Sequence, residues 1–263
     1  MISINSETSQ YIRPEWAIPS PTQAFCTTRL GGVSKPPFNQ LNLGVNAGDE
    51  PADVLKNRAI LSECLPSEPL WLKQVHGRLV SMPSSRESAL NGPFEADASV
   101  TQTPGEVLAI LAADCMPVLF TSIHGDIVGA AHAGWRGLSS GVLEQTVGAM
   151  RSLQPALQSR DILAWMGPAI SQDAFEVGED VLEAFSMSPQ PILSKAFMPI
   201  KGRSGKYLAN LYLLAQDRLR SVGVEHISGG GFCTFHDSAR FFSYRRDGIT
   251  GRFASLIWIP LKK

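Results

Sequence analysis

The stretch VLAILAADCMPVLFTSIHGDIVGAAHA, residues 107–133, decides the fold. Residues 107–113 are the longest unbroken apolar run of the chain, and their length and composition predict a buried strand. Two more apolar segments follow, 117–123 and 127–133, separated by His-Gly-Asp at 124–126. With Gly125 in the turn, they predict a hairpin. A hairpin beside a buried strand argues against a purely parallel sheet.

Working outward, the chain alternates short apolar strands with a few helices, which predicts a mixed α/β (α+β) fold. Residues 11–48 read as loops and short strands. A first helix is expected over 51–65, with Pro51 in its opening turn and Pro66 just beyond its end. Residues 70–82 read as strand, turn at His76-Gly77, strand, and 83–96 as a polar loop. Leu143, Val147 and Met150 share one face of a helix over 139–153. A strand is expected over 162–166 and a short helix over 178–186. The apolar stripe of Leu208, Leu211, Tyr212, Ala215, Leu219 and Val222 predicts a helix over 207–222, stopped by Gly223. Residues 241–244 and 254–259 complete the expected strands. No repeat or linker divides the chain, so one domain over 1–263 is expected.

Apolar residues at 44% allow a sizeable core, which excludes global disorder. Lys plus Arg number 23 against 24 Asp plus Glu, so no basic excess favours nucleic acid. No apolar run approaches the roughly 20 residues that cross a bilayer, so no membrane role is expected. No secretory signal is visible at the start, and four cysteines without a CxxC pair are too few for a disulfide scaffold. Together these lead to an expected cytoplasmic location with reduced thiols.

His76, in KQVHG, and His132, in AAHAGWRG, have small neighbours that leave room around an imidazole. Cys115, in AADCMP, lies between them at the end of the buried strand. Two histidines and a thiolate suit zinc with an open fourth position. Their intervals match no compact zinc motif, so the fold would have to bring them together. The competing reading is a core cysteine and two satisfied core histidines. Asp114 supports the ligands only if the strand ends there, since it otherwise points to the opposite face.

The glycine-rich segment GWRG (134–137), ahead of a helix, reads as an anion site with Arg136 as a donor, or as a turn whose glycines relieve strain. TRLGGVS (28–34) sets Arg29 beside a Gly-Gly loop, where a surface arginine is the plainer reading. YRRDGITGR (244–252) reads as a phosphate clamp or as a solvated hairpin tip. GGGFCT (229–234) puts Cys233 after three glycines with His236 close by, which leaves a Cys-His hydrolase open. His124 and His226 read as surface or core residues, and Cys26 and Cys64 have no special context.

TRLGGVS (28–34), LNLG (41–44), WLKQVHG (71–77), ADASVT (96–101), ADCMPVLF (113–120), AAHAGWRG (130–137), FEVG (175–178) and FSYRRDGITGR (242–252) fall in one order along the chain. Together they resemble the YfiH family, also called the laccase-domain or multicopper polyphenol oxidase family and described as purine nucleoside phosphorylases. The resemblance implies a compact domain of layered mixed sheets flanked by helices, related in fold to cysteine hydrolases. It implies a zinc site of His76, Cys115 and His132. It also implies phosphorolysis of adenosine, inosine, guanosine and 5′-methylthioadenosine, adenosine deamination, and purine nucleosides and phosphate as partners. GPAISQ (167–172) and Phe232 depart from the family pattern, and Phe232 bears on substrate choice near Cys233.

A laccase-type cluster needs several imidazoles beyond a His-Cys-His centre, and the remaining three histidines are scattered. Cu²⁺ still suits such ligands as an alternative or adventitious metal. For phosphorolysis, Arg29, Arg245 and Arg246 are the expected phosphate pocket, and Asp114 the expected acid or base of deamination. A cysteine hydrolase and a non-catalytic metal-binding protein are the competing function classes.

Overall fold

The computed structural model describes residues 10–18, 20–87, 93–188 and 190–261. Among these, the chain forms a mixed α/β domain in stacked layers. The first layer is a four-stranded antiparallel sheet of β1 (Tyr11–Ile12), β2 (Gln23–Thr27), β13 (Phe253–Trp258) and β5 (Leu108–Ala112), in that order. The second is six-stranded. Its order is β12 (His226–Gly229), β8 (Ile162–Met166), β6 (Met116–Ser122), β7 (Val128–Ala133), β4 (Ala98–Thr101) and β3 (Val80–Ser81). Its two outer pairs are parallel and the inner ones antiparallel. A small antiparallel sheet holds β10 (Phe197–Pro199), β11 (Lys206–Ala209) and β9 (Glu176–Gly178).

Helices cover the outer faces: α1 (Pro51–Ser62), α2 (Pro83–Glu87), α3 (Trp135–Ser140), α4 (Val142–Leu153), α5 (Glu179–Ala184), α6 (Gln190–Ala196), α7 (Leu211–Ser221) and α8 (Tyr244–Asp247). Side-chain alternation sorts each strand between layers. In β6, Met116, Val118 and Phe120 face α4 and α7, while Leu119 faces the other sheet. In β5, Leu108 and Ile110 fill the space between sheets, while Ala109 packs with Leu61 of α1. Strands covered on both faces carry nearly continuous apolar sequence, which is why 107–133 stands out. The hairpin expected there is the β6–β7 pair, with Gly125 at φ 68° in its turn.

Several expectations need correction. The strands expected over 70–82 reduce to β3 and isolated bridges at Leu70 and Lys73. The polar loop over 83–96 begins as α2, and 88–92 lie outside the described residues. The helix over 139–153 is two helices, because Gly141 turns left-handed at φ 95°. The helix over 207–222 starts only at Leu211. Tyr207 and Leu208 belong to β11, and Asn210 accepts a hydrogen bond from the Leu213 N–H as N-cap. Residues 241–244 form no strand, and the expected hairpin tip after them is α8, closed by Gly248 at φ 70°. No helix among the described residues is long and apolar enough to cross a membrane.

Candidate metal centre

His132 lies in β7 on the face of Val128 and Ala130, buried at 3% exposure. Cys115 sits in the turn between β5 and β6, where Asp114 takes φ 102° to reverse the chain. His76 projects from the loop before β3, itself at φ 62°. The fold brings the three together: their ligand atoms lie within 4.8 Å of one another. The two imidazoles meet edge to face at a 4.8 Å centroid distance. His132 is buried, Cys115 half-buried and His76 exposed, so the group opens to solvent on one side.

Asp97, immediately before β4, holds this arrangement. The register Ala98↔Ala131 sets Asp97 opposite His132. Its Oδ1 accepts from His132 Nδ1 at 2.9 Å and from the His76 N–H at 2.9 Å. Its Oδ2 accepts from the Val75 N–H at 3.1 Å and the Gly77 N–H at 2.6 Å. One fully buried carboxylate thus fixes the His76 loop and the tautomer of His132, leaving His132 Nε2 as the free ligand atom. Burial opposes its ionisation, but the His132 contact and the Gly77 and Val75 amides hold it below the usual carboxylate range.

Burial likewise opposes a charged Cys115, yet His132 and His76 bring its thiol down to about 6. Burial opposes protonation of His132, while Cys115 and Asp97 raise it to about 9. A thiolate beside an imidazolium is a state that a cation can replace, since a metal needs the sulfur ionised. The space is also reserved. A Cβ on Gly134 would lie 2.7 Å from Cys115 Sγ and 3.2 Å from His76 Cδ2. One sulfur, two imidazole nitrogens and an open side fit a divalent transition metal.

Asp114 is engaged elsewhere. Its Oδ1 accepts from Thr234 Oγ1 at 2.7 Å and its Oδ2 from the Arg245 N–H at 2.6 Å. Arg29 donates to Asn39 and to the Ser238 carbonyl and lies over Phe242. Burial first, then the charge of Arg246, lowers its pKa, so these two guanidinium groups are neighbours. Arg246 donates to the Thr234, Phe235 and Phe241 carbonyls. Arg245 donates to the Glu176 carbonyl and lies over Phe175. Arg136 is exposed and stacked on Trp135, at the start of α3.

Asp97 escaped the sequence reading, and Arg252 entered it only as one arginine of YRRDGITGR. Asp97 lies in ADASVT, an ionisable residue among small ones ahead of a buried strand, and that was its only signal. Arg252 closes YRRDGITGR. It donates to the Thr250 and Gly251 carbonyls and feels the negative charge of Cys115 and Asp114 while burial lowers its pKa.

The profile of a family described as multi-copper polyphenol oxidoreductase laccase matches residues 23–260. The chain belongs to this family. Relatives include the purine nucleoside phosphorylase YfiH of Escherichia coli K12, 49% identical over 253 residues and covering 95% of this chain and 99% of that protein. A purine nucleoside phosphorylase of Pseudomonas aeruginosa is 46% identical, with 95% and 98% covered. Among solved structures, a Neisseria meningitidis protein of the family DUF152 superposes with a TM-score of 0.87 at 44% identity, covering 96% of this chain and all of that one. YlmD from Geobacillus stearothermophilus gives 0.87 at 29% identity, with 98% of both chains covered. The laccase-family fold is thus shared over nearly the whole chain.

Proposed function

We propose that this chain is a zinc-dependent purine nucleoside phosphorylase acting on adenosine, inosine, guanosine and 5′-methylthioadenosine, with adenosine deaminase activity. The observation that carries the reading is the convergence of His76, Cys115 and His132, in a chain with full-length relatives that bear the phosphorylase name. A zinc ion held by the three side chains supplies Lewis acidity and fixed positive charge beside the substrate.

The chain's own groups do the rest. Arg245, exposed and held through Nη1 by the Glu176 carbonyl, and Arg29 attract and orient phosphate, while Arg246, whose five N–H groups go to the Thr234, Phe235 and Phe241 carbonyls and to Asp247, steadies the loop between them. A phosphate oxygen attacks the sugar C1′, the C1′–N9 bond breaks, and the proton the phosphate carried passes to the departing purine. Holding the two reactants in line is the main contribution. Asp114, steadied by Thr234 and the Arg245 N–H, is the carboxylate proposed to move a proton in deamination. One domain over residues 1–263 and a cytoplasmic location complete the proposal, the latter supported by four free cysteines.

Two other readings have a specific observation behind them. The family description carries copper, and Cu²⁺ binds such donors more tightly than Zn²⁺. Among the described residues, His124 in a turn, His226 at the start of β12 and His236 do not join the trio, so the cluster holds two imidazoles. The lowered thiol of Cys115 beside His132 also suits a hydrolase nucleophile. Chromatography of inosine and adenosine with and without phosphate tests the proposal. Base and ribose 1-phosphate appearing only with phosphate are expected, as is inosine from adenosine without it. Activity that survives chelation but not alkylation would favour the hydrolase instead.

A further inference from the structure

The loops after β8 and β12 bring a second donor cluster together, away from His76, Cys115 and His132. The glycines 229–231 make this possible. A Cβ at Gly229, φ 83°, would come 2.2 Å from the Met166 carbonyl, so only glycine lets the strand end run this close to β8. The chain then continues in the same direction beside the segment that follows β8, where Ala169 and Cys233 form a parallel bridge. Cys233, His236 and Asp173 thereby place a sulfur, an imidazole nitrogen and a carboxylate oxygen within 4.8 Å of one another.

Ser171 and His236 tie the three donors together. Cys233 Sγ faces the Ser171 hydroxyl at 2.7 Å and the Ser171 N–H at 3.4 Å. The same hydroxyl donates to Asp173, so Ser171 bridges the sulfur and the carboxylate. The other Asp173 oxygen meets His236 Nε2 at 2.9 Å. Cys233 and Asp173 line a groove of about 510 Å³ bordered by Tyr212, Asn210 and Phe232, and His236 reaches it through its contact with Asp173. His236 and Asp173 are 55% and 69% exposed, so an ion reaches them directly from solvent.

We propose that Cys233, His236 and Asp173 form a second divalent-metal site of the zinc class, with a vacant position facing the groove. In tetrahedral zinc coordination, neighbouring ligand atoms lie roughly 3.3–3.6 Å apart. The His236–Asp173 contact has to open by a few tenths of an ångström, and the wider separations have to close. Thiolate, carboxylate and neutral imidazole together balance a divalent ion. Binding releases the Cys233 thiol proton to solvent. The Thr234 Oγ1–Asp114 Oδ1 hydrogen bond runs between the residues next to Cys233 and Cys115, so the two centres share a wall.

Zinc per chain, measured by elemental analysis after equilibration in a zinc buffer, tests this independently of any nucleoside chemistry. Two equivalents are expected for the unsubstituted protein and one each for Cys233→Ser, His236→Gln and His132→Ala. None is expected for Cys233→Ser combined with His132→Ala. His236→Gln changes an exposed side chain, so it reads the site even where Cys233→Ser fails to fold. With cobalt, the thiolate-to-metal absorption of a Cys115→Ser protein is expected to persist and to vanish when Cys233→Ser is added. A single equivalent in the unsubstituted protein, or an unchanged count in His236→Gln, overturns the second site. Loss of metal in His132→Ala alone bears only on the first.

Discussion

Asp97→Asn is the most informative perturbation because it changes charge and one donor pattern with almost no change of shape. The carboxylate accepts from four N–H groups, two on each oxygen. An amide in the same place offers one acceptor oxygen and one NH₂ group. Whichever way it turns, two N–H groups facing this buried side chain lose their acceptor, at up to about 1–3 kcal/mol each with the part-buried Val75, His76 and Gly77 amides at the low end, so about 2–4 kcal/mol of folding stability is at stake. That is a large part of the roughly 5–15 kcal/mol that holds a protein folded. Either His132 and the His76 amide come loose, or the Val75 and Gly77 amides do, and in both cases a ligand loses its aim. Supporting partners of this kind change metal affinity by about 10–100-fold. Zinc affinity by competition with a chromophoric chelator, and urea unfolding of the metal-free protein, measure the two effects. Zinc affinity within twofold of the parent together with unchanged unfolding would refute the role given to Asp97.

Three other outcomes follow from the same geometry. In metal-free protein, alkylation of Cys115, read by peptide mass, is expected to titrate near pH 6; it slows as pH falls through that value, and His132→Ala moves the midpoint up toward the ordinary thiol range near 8.5. Gly134→Ala puts a methyl against Cys115 Sγ and His76 at an ordinary φ of −68°, so chelator competition should show zinc affinity falling at least about tenfold while circular dichroism is unchanged. Asn57→Ala removes a buried amide that donates to Ser34, Gln40 and Asn42 and accepts from Val33, and urea unfolding should show a loss of about 2–4 kcal/mol.

Asn57 also explains why the phrases TRLGGVS and LNLG stand out. Its side chain ties the two loops together, and a Cβ at Gly32 would lie 2.5 Å from Asn57 Oδ1. The layered fold was legible where burial dictates composition, as in β5, β6 and β7. It was illegible where apolar residues serve an irregular backbone. Phe241 and Phe242 fill the space between sheets without any strand, because the chain there turns into α8. Tyr207 and Leu208 continue the apolar stripe of α7, yet pair with Val177 and Glu176 of β9.

The three candidate ligands were legible one by one, through small neighbours and a buried strand end. Their orientation was not, because Asp97 reaches His132 only through the register of β4 on β7. The arginines chosen for phosphate were visible as charge. That Arg246 holds three loop carbonyls depends on residues brought near only by folding.

Crystals of zinc-equilibrated protein, with diffraction collected on both sides of the zinc absorption edge, test the first centre most directly. An anomalous peak is expected about 2.0–2.1 Å from a nitrogen of His76 and of His132 and about 2.3 Å from Cys115 Sγ. Zinc-saturated crystals with no peak among these three side chains would contradict the account.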